Sequence, residues 1–358
     1  MKEAVFLQEV KEIQLLKNAL TLLDWDSSTG MPEKSSPFRG EVEGYLTGLY
    51  FERSIGPVIQ EALAYFETRP EELSELGKLV FEKVKEEYAL NKNVPAERMQ
   101  EYVKVLNQAH TDWLKARAAQ DFGLLEETLT KVVAFQKEFI PYWQKEEKTP
   151  YDVLLNQFEP GMTVEKLDQV FDQVKQGIQE IRTVLAEKGT PPRTDFLSRK
   201  MTKEQQRRFV IGVVEQLGYD FSKGRLDDTV HPFMTALNRN DARITTRWEE
   251  NNFSMATFGV IHEAGHGMYE QNFDPKFDFT PLSEGASMGI HESQSLFNEI
   301  IIGSNRAFWQ KQYPFFQECA EGTFDDITFE DFYASLKETK ASLIRIDSDS
   351  LTYPLHII

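Results

Sequence analysis

The chain of 358 residues has a single cysteine, Cys319, so no intramolecular disulfide can form and nothing points to an oxidising compartment. It also lacks any apolar run near the roughly 18 residues of a membrane span, and no membrane partner is expected. The stretch from Met1 to Gln14 carries charges every few positions and has no apolar signal core, so the expected location is cytoplasmic. Positive charge is scarce: 40 Lys and Arg against 58 Asp and Glu leave a net charge of -18. Nucleic acid, whose phosphates need clustered cations, is therefore excluded as a partner. Glycine and proline are few, at 20 and 15, and 41% hydrophobic with 27% charged residues excludes disordered and collagen-like classes. What remains is a soluble globular protein large enough to bury a site.

Helical periodicity runs through the first part of the chain, beginning with Phe6, Val10, Ile13, Leu16, Leu20 and Leu23 on one face. Further helices are predicted over 54–68, 72–90, 95–120, 123–145, 164–187 and 203–217. The break at Gly189-Thr190-Pro191-Pro192 divides an N-terminal helical lobe, 1–195, from a second region, 196–358. Between about 226 and 253 the pattern alternates, as in Arg243-Ile244-Thr245-Thr246, and predicts a small hairpin or sheet. Helices return at 254–272, 283–302, 305–319 and 328–346.

Histidine is also scarce, with six in the chain, which makes its clustering informative. Residues 262–266 read His-Glu-Ala-Gly-His inside an apolar-periodic helix. Positions four apart differ by only about 40° around a helix, so His262 and His266 stand side by side one turn apart, placed to share one Zn²⁺. Glu263 projects to the flank, where it can reach an activated water as the general base of amide hydrolysis. Gly265 and Gly267 each cost a helix about 1 kcal/mol relative to Ala, which predicts that another element approaches closely there.

Catalytic zinc usually takes three protein ligands. Glu292, in the small-residue segment from Ser283 to Ser295, is favoured as the third; Asp274 and Asp278 remain possible, and Glu270 would have to bend back along its own helix. His291, about 100° from Glu292 around its helix, reads as a supporting polar residue and not a ligand. His231 precedes the predicted sheet and is a candidate functional residue. Arg243, Arg247 and Arg345 are candidates for gripping a substrate carboxylate, because a guanidinium can make two parallel hydrogen bonds to it.

The His-Glu-Ala-Gly-His helix, His291-Glu292-Ser293-Gln294, His231-Pro232-Phe233 and Asp241-x-Arg243-Ile244-Thr245 together resemble the motifs of the carboxypeptidase Taq (M32) metallopeptidases, and four motifs in one order are a specific match. Trp25-Asp26 with Met31-Pro32, and Glu159-Pro160-Gly161-Met162, extend the likeness over the whole chain. The resemblance implies a mainly α, helical zincin-like metallopeptidase with a small β-sheet beside the active-site groove, acting on peptides as a carboxypeptidase, often as a homodimer. It implies metal ligands His262, His266 and Glu292, catalytic Glu263, and substrate-binding roles at His231, Asp241, Arg243, Thr245 and Arg345. Zn²⁺ is the implied cofactor, with Co²⁺ as a substitute.

This chain departs from the family at Ser348 and Ser350, near Arg345, where alanine and an acidic residue are usual. Family members also continue past the segment ending at Ile358 and carry a Gly-x-x-Gln-Asp-x-His-Trp motif that is absent here. The expectation is that one wall of the groove is missing. This chain would then bind zinc yet hydrolyse peptides weakly, or serve only as a zinc-binding homologue. An oligopeptidase cutting within short peptides is the other alternative.

Overall fold

Short polar side chains set most helix starts. Ser74, Thr149, Thr163, Thr202, Ser287, Asn305 and Thr328 each accept a backbone N–H from the first turn that follows. The computed structural model describes residues 1–340, 349 and 351–356. The molecule is mainly α-helical with one small sheet. By internal contacts the chain divides into two compact units, Met1–Leu23 with Pro32–Met162 and Lys276–Leu282, and Asp24–Met31 with Thr163–Pro275 and the described residues from Ser283 onward.

In the first unit, α1 (Glu3–Thr29) buries Phe6, Val10 and Ile13 as its periodicity predicts, against Ile59, Ala62 and Phe66 of α3 (Pro57–Phe66) and Val80, Phe81 and Val84 of α4 (Glu75–Asn91). α5 (Ala96–Ala119) and α6 (Gly123–Trp143) form a hairpin around Phe135 and Phe139. Two helices escape the sequence pattern. α2 (Ser36–Ser54) buries no residue and so has no apolar stripe to read. α7 (Pro150–Phe158) is short and is nucleated by a Thr149–Asp152 capping box with proline in its first turn.

The second unit has α8 (Val164–Lys188), α9 (Lys203–Leu217), the sheet, and α10 (Phe253–Gln271) to α13. Strands β1 (Leu226–Asp228), β3 (Asp241–Thr246) and β2 (Met234–Asn238) lie in the order β1-β3-β2, with β3 parallel to β1 and antiparallel to β2. The central strand carries Ala242, Ile244 and Thr245 buried, while the β2–β3 hairpin turns at Arg239-Asn240. Behind the sheet an aromatic core of Phe253, Trp309, Phe316, Phe324 and Phe332 joins α10 to α12 (Arg306–Ala320) and α13 (Phe329–Ser335). The helix predicted to reach 346 stops at Ser335, whose hydroxyl turns back to the Phe332 carbonyl.

Candidate metal centre

α10 carries the His-Glu-Ala-Gly-His motif, and its packing explains both glycines. A Cβ on Gly267 would lie 2.6 Å from the Tyr219 ring, and one on Gly265 would lie 2.7 Å from both Gln294 O and Ser295 Cα. The latter atoms belong to α11 (Met288–Leu296), the helix that bears Glu292. Ser287 starts that helix by accepting the Ile290 N–H, five residues later than the periodicity predicts. After Leu296 the helix widens into a π-helical stretch, Phe297–Ile302. Such widened turns occur often at functional sites.

The close approach brings three side chains together. His262, His266 and Glu292 each offer a ligand atom, and these atoms lie within 4.8 Å of one another; no other such cluster occurs among the described residues. Glu292 Oε2 is 3.5 Å from His262 Nε2 and 3.2 Å from His266 Nε2. Ligands at about 2.0–2.1 Å around a tetrahedral Zn²⁺ stand about 3.3 Å apart, so the donor set fits a small divalent cation. Asp274, Asp278 and Glu270 do not enter the cluster.

The surrounding groups orient these donors. Glu299 Oε2, on the π-helical stretch, lies 2.7 Å from His262 Nδ1. Tyr353 donates its hydroxyl to Glu292 Oε1 at 3.1 Å, on the oxygen opposite the one that faces the imidazoles. Ser295 donates to Glu292 Oε2 at 3.1 Å. Neither Glu299 nor Tyr353 was singled out in the sequence. Glu299 had a legible signal, being seven residues beyond Glu292 and thus two turns on along the same face; Tyr353 had none.

Electrostatics favour a cation here. Burial opposes a charge on His262, but hydrogen bonds to Glu292 and Glu299 outweigh it and raise its pKa to about 10. Burial likewise opposes charge on Glu292, yet the two imidazoles hold its carboxyl well below the usual carboxylate range. His266 is pulled down by burial. Glu263, itself buried, is pushed up to about 7, chiefly by desolvation. Carboxylates that draw a proton so strongly onto His262 attract a divalent cation by the same Coulomb forces.

The chain matches the family model described as "Carboxypeptidase Taq (M32) metallopeptidase" over residues 5–358. The chain belongs to this family. Carboxypeptidase 1 of Bacillus subtilis is 44% identical over 356 residues, covering 99% of this chain and 71% of that protein. Thermostable carboxypeptidase 1 of Thermus thermophilus is 32% identical, over 97% of this chain and 70% of its own length. Among solved structures, the M32 carboxypeptidase from Deinococcus radiodurans superposes with a TM-score of 0.90 at 33% identity, covering 98% of this chain and 70% of that one. Trypanosoma cruzi metallocarboxypeptidase 1 does so with a TM-score of 0.89 at 30% identity, covering 99% and 71%. As an M32 protein the chain is a metallocarboxypeptidase, a peptide hydrolase that requires a divalent metal.

Asp241, Arg243 and Thr245, whose roles the resemblance implies, lie together on β3. Arg243 Nε and Nη2 are paired with the two Asp241 oxygens, each at 2.8 Å. Thr245, fully buried, accepts the Phe233 N–H at 2.8 Å and donates to Phe233 O at 2.9 Å, tying the His-Pro-Phe triplet to β3. Phe233 packs edge-on against Trp25 at 5.4 Å, and Arg243 lies over the same indole at 5.5 Å. His231 is exposed at the end of this triplet. Arg345 lies outside the described residues. No helix among the described residues is long and apolar enough to cross a membrane.

Proposed function

We propose that this chain is a zinc-dependent carboxypeptidase that releases C-terminal amino acids from peptides, with 196–358 as its catalytic region. The observation that supports this most directly is the convergence of His262 Nε2, His266 Nε2 and Glu292 Oε2, with the buried Glu263 next in sequence to the first. His262, His266 and Glu292 would hold the metal, leaving one position open to water or substrate. A bound Zn²⁺, or Co²⁺ in its place, supplies Lewis acidity that activates water and polarises the scissile carbonyl.

Glu263 acts as the general base, taking a proton from the attacking water and returning it to the leaving amine. Burial matches it to this task by moving its pKa to about 7, from which a neighbouring cation draws it down into the ionised form. Tyr353, by binding Oε1, keeps Oε2 of Glu292 turned to the imidazoles. His231, Asp241, Arg243, Thr245 and Arg345 serve the substrate side. A cytoplasmic location and a homodimeric assembly complete the reading, the latter checked by sedimentation.

The test is mass spectrometry of a mixed peptide pool after incubation with zinc-loaded protein. Stepwise loss of C-terminal residues is expected, blocked by C-terminal amidation, and Glu263→Gln should abolish it while retaining metal. Internal cleavage that persists on amidated peptides would instead make the protein an oligopeptidase. A metal-loaded chain with no hydrolysis would overturn the assignment.

A further inference from the structure

His266 is supported differently from its partner ligand. His262 meets a carboxylate directly, whereas His266 Nδ1 lies 2.6 Å from a second imidazole nitrogen, His291 Nδ1. The far nitrogen of that ring, His291 Nε2, is 2.9 Å from Glu270 Oε1. Glu270 is buried, at 6% exposure, and sits on α10 one turn beyond His266, so that His262, His266 and Glu270 fall at i, i+4 and i+8 along one stripe. From the metal ligands outward, the order is His266, His291, Glu270.

Hydrogen-bond chemistry gives this chain one polarity. An ionised carboxylate only accepts, so the proton between Glu270 and His291 belongs to His291 Nε2. A neutral His291 then has a bare Nδ1, which can only accept. His266 must therefore carry its proton on Nδ1, and its Nε2 lone pair is left facing Glu292 Oε2. We propose that Glu270 and His291 are positioning residues whose hydrogen bonds hold His266 as its Nδ1–H tautomer, with Nε2 presented to the metal. The proposal rests on the reading of His262, His266 and Glu292 as ligands.

Packing around His291 is built for this orientation. A Cβ on Gly285 would lie 2.5 Å from His291 Cδ2, so only glycine leaves room for the ring there. Tyr269 meets the same ring edge-on, with ring centroids 5.2 Å apart at 88°. Its hydroxyl accepts the Ala286 N–H at 3.3 Å, which joins the glycine segment to α10. The imidazole is packed against Gly285 and Tyr269 and hydrogen-bonded at both nitrogens, with no freedom to reverse its tautomer without losing a bond.

The test measures Zn²⁺ and Co²⁺ dissociation constants by chelator competition on the full chain. Loss of an outer partner typically weakens a metal about 10–100-fold, and that is the expected effect of His291→Leu and Glu270→Leu. His291→Asn, which keeps an acceptor near the Nδ1 position, should recover most of the affinity, a rescue that a purely structural role would not give. Binding by His291→Leu as tight as the parent's, with binding lost in His266→Ala, overturns the relay but leaves the metal site standing. A parent that takes up no metal, or a His266→Ala variant that binds as tightly, overturns the ligand assignment and the relay together. Should the leucine variants not fold, ¹⁵N spectra of the zinc-loaded parent decide: a His291 protonated on Nε2 alone is expected, and one protonated on Nδ1 overturns the relay.

Discussion

Glu299 Oε2 lies 2.7 Å from His262 Nδ1, across 37 residues of sequence and from a π-helical stretch that widens the chain at that point. A carboxylate at this nitrogen fixes the ring's tautomer and makes its other nitrogen a stronger donor. Replacing Glu299 with Gln should keep a hydrogen-bond acceptor but lose the charge, and Glu299→Ala should lose both. We expect metal affinity to fall in the order parent, Gln, Ala, by about 10–100-fold in the last. Equal chelator-competition constants for all three would show that Glu299 is a bystander.

Gly265→Ala separates helix propensity from packing. Propensity alone would stabilise α10 by about 1 kcal/mol, but the new methyl would stand 2.7 Å from backbone atoms of Gln294 and Ser295. Backbone yields poorly, so overpacking of about 1–3 kcal/mol should win. A lower melting temperature and weaker metal binding are expected together, because the displaced helix carries Glu292. A variant more stable than the parent would contradict this packing.

Tyr219 makes stability depend on alkaline pH. Its hydroxyl donates to Ala242 O at 2.6 Å, and burial pushes its pKa above the ordinary value. The folded pKa exceeds that of the unfolded chain, about 10, so the contribution is complete below that pH and is lost as pH rises beyond it. Tyr219→Phe should cost about 0.5–1.5 kcal/mol at neutral pH. Denaturant titrations from neutral to strongly alkaline pH should show that cost shrinking above about pH 10; a constant difference would contradict the shift.

Arg345 is our first choice for gripping the substrate's terminal carboxylate, and Arg243 our second. Arg345→Ala should raise KM for free-acid peptides and leave amidated ones little changed. Arg243 has Nε and Nη2 committed to Asp241 and lies over Trp25, so Arg243→Ala should also lower thermal stability. Equal effects of Arg345→Ala on both peptide types would exclude it as the clamp.

What could be read along the chain was what local periodicity determines. Four-residue spacing puts His262 and His266 on one helix face whatever surrounds them, and two glycines beside them announce close neighbours before those neighbours are known. Strand alternation from Arg243 to Thr246 likewise predicts the central strand. The helices α2 and α7 were not legible because one buries no stripe and the other is shorter than the pattern needs.

Contacts between distant segments were a different matter. The sequence separates Glu292 from Tyr353 by 61 residues, His262 from Glu299 by 37, and His291 from Glu270 by 21. Residue type alone read His291 as a supporting polar group and Glu270 as a poor ligand, without joining them. The close packing of α11 against Gly265 of α10 brings Glu292 to the two imidazoles and His291 to Glu270, while Tyr353 reaches Glu292 from a separate turn near the end of the described residues. A hydrogen bond is decided within a few tenths of an ångström, and that precision comes from close-packed tertiary contacts that no local pattern encodes.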